Sequence, residues 1–433
     1  MKKQKFGNSR IYLILLSLLS IGIMASCGHA PQQLLNEIVP SNANYIAQSM
    51  SMSDYSRRIA TGRFHSAAIC ADGILWTWGD NEDGQLGNGT MEGSSVPIRI
   101  MDDVIAVSTR DWSHNTAAIT SDGTLWMWGS NQVGAIGDGT TIARYSPVKV
   151  MENVVYVSTG TGHTAAITND GALWTWGWNA AGQLGDGTTI DRHSPVKIMG
   201  NVTAVSTSGL STAAITDDGA LWVWGSNDSG QIGDGTTSRY EIWNADDGDA
   251  FYKFDRHSPV RIMEDVVYVS VGGAHMGAIT SDATLWMWGE NEEGQLGDGE
   301  ERSRYLDGLG RWLKYYKNTP EPVMENVVSV SAGGDHTMVI TTDGTLWGFG
   351  RNTRDQLGVR VYEYSYWGVL RASDFLISPT PILENVIAVS AGAWHTAAMT
   401  DNGVLWTWGA ANFEDIGFWD HTYTHSKVMD NMR

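Results

Sequence analysis

Five histidines, His65, His163, His275, His336 and His395, stand at one position of a recurring pattern, with His114 beside that position in one copy and Ser211 replacing it in another. A circle of imidazoles is zinc chemistry in principle. Zinc, however, needs its ligands about 2.0–2.1 Å from a single point. Side chains from units arranged round an axis are spread apart, so no metal is expected. The loops Asp80-Asn81-Glu82-Asp83-Gly84, Gly185-Asp186-Gly187 and Gly297-Asp298-Gly299 resemble calcium loops. They lack the spacing and closing glutamate of an EF-hand, and Asp-Gly is ordinary turn chemistry. The chain has no Gly-x-x-x-x-Gly-Lys-Ser/Thr string, no His-Glu-x-x-His and no Gly-x-Ser-x-Gly, the arrangements that hold phosphate, catalytic zinc and an acyl-accepting serine. Cys70 occupies the place held by Thr120, Thr168, Thr216, Thr280, Thr341 and Thr400, which makes it a strand filler without a base to activate it. No catalytic residue and no cofactor is expected. A hydrolase or lyase using scattered groups in a central funnel is a third-rank reading, open to activity screening with a chelator control.

The pattern that positions these residues is Leu-Trp-x-Trp-Gly. It begins at Leu75, Leu125, Leu173, Leu221, Leu285 and Leu405, with a weaker copy at Leu346-Trp347-Gly348-Phe349-Gly350. Successive starts lie 50, 48, 48, 64, 61 and 59 residues apart. Seven units of about 48 residues then occupy 53–433, with insertions in the later ones, and a period of this length denotes a modular array. In the third unit, Val154–Ser158 is a β-rich run, His163–Thr168 a second, Ala172–Trp176 a third and Ser194–Met199 a fourth. Asn169-Asp170-Gly171 supplies the tight reversal between the second and third, and Pro195 suits an outer strand. Four short antiparallel strands make one propeller blade. The expected fold is all-β, a seven-bladed β-propeller of four-stranded antiparallel blades. Trp174 and Trp176 share one face of their strand while Leu173 and Thr175 share the other, as suits a sheet sandwiched between neighbours. Ser56–Gly62 aligns with a first strand and Ser426–Met429 with a fourth, so the two ends of the ring are expected to meet; how they meet is left open.

The N-terminus follows other rules. Lys2, Lys3, Lys5 and Arg10 precede the apolar run Ile11–Met24, then Ala25-Ser26-Cys27-Gly28. A basic stretch and a short apolar run form an export signal, too short to span a membrane comfortably. The small residues before Cys27 resemble a bacterial lipobox, although Met24 stands where leucine is usual. Residues 1–26 are read as a lipoprotein signal peptide, Cys27 as the lipid attachment site, and 27–52 as anchor and polar tether. The alternative is ordinary cleavage after Ala30. The expected address is the extracytoplasmic side of a bacterial cell membrane. The net charge is −20, and loss of the signal makes it more negative. That acidity opposes a phosphate-backbone partner, so no nucleic acid is expected. With Cys27 and Cys70 as the two cysteines, no disulfide can form within the ring.

The combination Val-x-x-Val-Ser-x-Gly, His-Thr-Ala-Ala-Ile-Thr, Asp-Gly-x-Leu-Trp-x-Trp-Gly and Gly-Gln-Leu-Gly-Asp-Gly resembles the repeat of the regulator of chromosome condensation family over residues 57–433. The resemblance implies a seven-bladed propeller. It also implies that the repeated histidines bond neighbouring backbone groups in their turns. Among its members are an exchange factor for a small GTPase that binds chromatin, and a secreted bacterial propeller that caps β-lactamases with one face. Chromatin binding needs basic tails, which this chain lacks, and an exported protein would not meet a cytosolic GTPase.

Three insertions, 239–256, 301–318 and 359–377, fall between the third and fourth strands of blades four, five and six. Insertions at one loop position mark one face, and their Tyr, Trp and Arg content suits an interaction surface as well as a packed lobe. Trp243, Tyr252, Trp312, Tyr315, Tyr316, Tyr364 and Trp367 are the candidate contacts. The expected function is a non-enzymatic, membrane-tethered scaffold that binds an unidentified protein or glycan on that rim. The alternatives are an enzyme inhibitor resembling the β-lactamase-capping propeller and, by family resemblance only, an exchange-factor-like regulator.

Overall fold

The computed structural model describes residues 55–110, 112–237, 254–300, 315–364, 370–410, 426–429 and 432. Seven four-stranded antiparallel sheets follow one another along the chain, each made of four consecutive strands of its own repeat apart from the interposed hairpin in blade six. In blade three the strands are Val154–Thr159, His163–Thr168, Leu173–Gly177 and Arg192–Met199. Their register pairs His163 with Gly177, Ala165 with Thr175 and Ile167 with Leu173. The fourth strand starts two residues before the expected Ser194 because Gly177 pairs with Arg192 across a bulge.

First strands of adjacent blades lie side by side round the axis, and Ile59–Thr61 of blade one lies beside Val386–Ala391 of blade seven. Closure therefore occurs between two complete blades, without a sheet that mixes strands from both ends. Thr61 N donates to Ser390 Oγ at 3.1 Å, and Ser66 Oγ bonds His395 Nε2 at 2.9 Å. The same serine stitch recurs inside the ring. Ser108, Ser158, Ser206, Ser270 and Ser331 each accept an amide of the next blade at 2.9–3.1 Å. A backbone N–H of an inner strand, facing the axis instead of a sheet partner, must be satisfied somewhere, and a serine one blade back does it. Blade one carries Ala60 at this position, so the joint between blades one and two has no such stitch.

The two tryptophans of each motif have different tasks. Trp176 is fully buried and packs against Ile119, Leu125, Met127 and Ile136 of blade two. Trp174 is half-buried and its indole N–H turns back to Thr168 Oγ1 of its own blade. Strands one and two are almost wholly covered, whereas the fourth strand alternates exposed and half-buried residues, as its outer position requires. Among the described residues no helix is long and apolar enough to cross a membrane.

Candidate functional site

Antiparallel order sorts the connections onto two faces. Turns joining strands one and two share a face with the loops joining strands three and four. Reversals two-to-three and four-to-one lie on the opposite face. The first half of each three-to-four loop is a structural device. In blade three, Asn179 Oδ1 accepts Leu184 N at 3.0 Å, while its amide donates to the carbonyls of Thr188 and Ile190 at 3.0 and 3.1 Å. Gln183 Oε1 accepts Ala181 N at 2.9 Å. That fold aims the Gln183 carbonyl into blade four, where it takes Trp224 Nε1 at 3.0 Å and Thr212 Oγ1 at 2.8 Å. Gly185 follows with φ +76°, and a Cβ there would stand 2.6 Å from Trp224 Nε1, so both the backbone and the contact demand glycine. In blade six Phe349 replaces the second tryptophan, and the Gln295 carbonyl keeps only Thr337 Oγ1, at 2.8 Å.

The histidines belong to this same joint. His163 Nε2 lies 3.1 Å from Thr212 Oγ1. The Thr212 hydroxyl hydrogen goes to the Gln183 carbonyl, which has none to give, so the imidazole donates from Nε2. His65, His275 and His336 reach Thr116, Thr337 and Thr396 likewise at 2.9–3.0 Å. The expected backbone partner is thus corrected: the ring lies against the glycine of its own turn, Gly160 in blade three, and from there its Nε2 reaches a hydroxyl of the next blade. Burial pushes the pKa of His65, His275 and His336 down to about 3 and those of His163 and His395 to about 4. Among the described residues no group of His, Cys, Asp or Glu could hold a metal ion. Asp186 fulfils the turn-chemistry expectation: Oδ1 accepts Thr188 N at 3.0 Å and Oδ2 takes Arg192 Nε at 2.7 Å. Cys70 is buried at the end of its strand.

Above this uniform platform the face diverges near the axis. The blade-two turn between Thr109 and Asn115 has two residues more than its counterpart between Thr159 and His163. Trp112 from that turn meets Trp394 of blade seven edge to face, ring centres 5.9 Å apart. Arg63 of blade one lies between them in the ring order, its Cζ 5.2 Å from the Trp112 ring and 5.1 Å from Phe64. Arg351 of blade six sits 5.1 Å from Trp394 and bonds Asp335 at 3.1 Å. His114, displaced from the repeat position that Asn115 takes, has Nδ1 2.7 Å from Asp83 and Nε2 3.0 Å from Arg63 Nη1. A guanidinium can only donate, so Nε2 accepts and Nδ1–H points to Asp83. That hydrogen bond holds the Asp83 carboxyl below the usual carboxylate range. The result is a half-buried strip of two tryptophans and two arginines over the buried ring of Phe64. Sequence reasoning missed it; the 50-residue first interval, two longer than the next, was the available signal.

Of the residues expected from the sequence, Tyr315 and Tyr316 stand at the root of the blade-five insertion. Tyr315 Oη donates to Glu300 at 2.8 Å, and Tyr316 Oη lies 3.4 Å from Thr237 Oγ1 of blade four. Tyr316 begins the fourth strand, Tyr316–Met324, so the insertion ends before it. In the same way Arg256 and Phe375 open the fourth strands of blades four and six. Each extends the ladder of its third strand, pairing with Gly225 and Arg351 respectively. Tyr364 lies in a short added hairpin, Tyr362–Tyr364 paired with Leu370–Ala372. Cys27, Trp243, Tyr252, Trp312 and Trp367 lie outside the described residues.

These features define a class, the propeller built from tryptophan-glycine repeats with serine- and histidine-stitched blades. Residues 17–246 match the RCC1-like domain family, and 218–279, 282–340 and 343–399 match the Regulator of chromosome condensation (RCC1) repeat. The chain belongs to this family. It is similar to the guanine nucleotide exchange factor SRM1 of Saccharomyces cerevisiae, 30% identical over 179 residues, covering 39% of this chain and 36% of that one. It is also similar to the probable E3 ubiquitin-protein ligase HERC4 of Homo sapiens, 30% identical over 169 residues, 39% of this chain and 15% of that one. The chain spans about a third of the length of SRM1 and less of HERC4. In three dimensions the chain resembles Prp20p from Saccharomyces cerevisiae, a structure reported with binding to Gsp1p and histones, at TM-score 0.68 and 20% identity over 88% of this chain and 89% of that one. That likeness is one of fold.

Proposed function

We propose that this propeller is a binding scaffold without catalysis, tethered through lipidated Cys27 on the extracytoplasmic side of a bacterial membrane, which holds a protein or glycan on the face from which its insertions emerge. The observation that carries this reading is the Trp112–Trp394–Arg63–Arg351 strip, because it lies on the face from which the three-to-four loops leave the blades and is made of residues the repeat does not share. Trp and Arg dominate interaction hot spots. The test uses the full chain as bait against envelope extract, alongside Trp112→Ala/Trp394→Ala and a deletion of 240–254. Loss of a specific partner by folded variants supports the reading; retention of every partner with loss of stability makes the strip and the insertions packing devices. Radiolabelled palmitate incorporation, abolished by Cys27→Ser, tests the anchor. A second reading, a nucleotide-exchange regulator, rests on the match to SRM1 and is read by nucleotide release from candidate GTPases. Capping of a secreted hydrolase is read by inhibition assays.

A further inference from the structure

The axis of the ring holds charges that the repeat does not call for. At the repeat position that follows Thr61 in blade one and Thr159 in blade three, five blades carry glycine, Gly62, Gly160, Gly272, Gly333 and Gly392, and a sixth carries Ser208. Blade two has Arg110. Its guanidinium crosses the channel, and Nη1 reaches Ser270 Oγ of blade five at 3.2 Å. From the other end of the channel comes Arg57, which sits at the register position of Ile105, Val155 and Val267 in other blades. Its Nη1 lies 3.3 Å from the Val155 carbonyl, and its Cζ lies 4.7 Å from the Tyr156 ring. Both arginines line one axial cavity of about 60 Å³, together with Ser108, Ser158, Ser331 and Ser390. The charge of each is felt at Tyr156, where it opposes the upward push of burial on the phenol.

Neither arginine meets a carboxylate among the described residues. That is notable in a chain of net charge −20, where most of the described arginines have an acidic neighbour. Partly buried cations without a counter-charge are costly, and guanidinium forks match planar or tetrahedral oxyanions. The cavity has room for several waters or one small oxyanion, and too little for a nucleotide. We infer that the central channel is a binding site for a small inorganic oxyanion of the phosphate or sulfate type, clamped between Arg57 and Arg110 with the channel serines as supporting donors. The arginines themselves already link blade two to blade five and blade one to blade three, and an anion held between them would join blade one to blade two, where Ala60 leaves the serine stitch unmade.

The test is thermal unfolding and isothermal titration of the full chain with inorganic phosphate and with sulfate, against chloride at matched ionic strength. A ligand that binds only the native state raises the melting temperature. Saturable stabilisation by phosphate or sulfate beyond chloride is expected. Arg110→Gly, the residue most blades carry there, should weaken phosphate binding by about tenfold or more. Arg57→Gln, which leaves blade two untouched, should also weaken it and gives a reading independent of any fault in the blade-two turn. Arg99→Gln, at a surface arginine paired with Asp102, should keep the full response. A response equal to that of chloride, or one that survives both channel variants, overturns the inference.

Discussion

The two faces of this ring are built by different rules. On the face of the two-to-three and four-to-one reversals, each blade repeats the last almost verbatim. Thr168 Oγ1 donates to Asp170 Oδ1 at 2.6 Å, Val202 N to the Gly171 carbonyl at 2.9 Å and Asn169 N to the Asn153 carbonyl at 2.9 Å. Asn153, Asn201, Asp265 and Asn385 take positive φ at equivalent places. Hydrogen bonds from the threonines keep Asp122, Asp170, Asp282 and Asp343 below the usual carboxylate range, so this face stays anionic. On the opposite face only the buried half of each loop repeats. Its outer half and its axial turns vary in length and carry Trp112, Trp394, Arg63 and Arg351. Divergence is thus confined to positions outside the glutamine, tryptophan and histidine joints that recur round the ring, and the divergent residues meet one another above those joints.

The comparison can be broken most sharply at the joint beneath the variable face. Trp176→Ala removes the ring packed between blades two and three and the bond from its N–H to the Ala135 carbonyl, 2.9 Å long. It should cost about 3–5 kcal/mol in denaturant unfolding, whereas Trp174→Ala, half-exposed, should cost clearly less. Equal costs would show that the joint is not where the ring is held.

Next is acid. The five buried histidines have native pKa values of about 3 to 4, against about 6.5 unfolded. The unfolded chain therefore binds more protons between those values. Stability should be complete above about pH 6.5 and fall as pH drops towards 4. The variant His163→Asn, with the residue blade two carries as Asn115, should be less stable at pH 7 yet lose less between pH 7 and 5. Unfolding midpoints measured across that range check the slope.

On the uniform face, blade five departs once: Ala283 takes φ +65° where other blades place glycine. Ala283→Gly should stabilise by about 1 kcal/mol, read as a raised melting temperature. The smallest effect is expected at Cys70. Trp76 Nε1 is buried without a partner, whereas Trp222, Trp286 and Trp347 bond the threonine at this position at 3.1–3.3 Å. Cys70→Thr should restore that bond and add about 0.5–1 kcal/mol.

Blade count, strand order and the Asp-Gly reversals were all legible in the chain. Each follows from a local rule, strand alternation or turn chemistry, repeated seven times until it is unmistakable. The partners of the repeated histidines and serines were not legible, because they lie one blade away, at separations such as the 49 residues between His163 and Thr212. Nor was the meeting of Trp112 with Trp394, or of Arg110 with Ser270. Those contacts exist only because seven sheets close into a circle, which brings the ends of the chain together and turns seven separate inner strands into one channel. Periodicity sets the geometry of a single blade; ring closure alone decides which side chains from distant blades face one another.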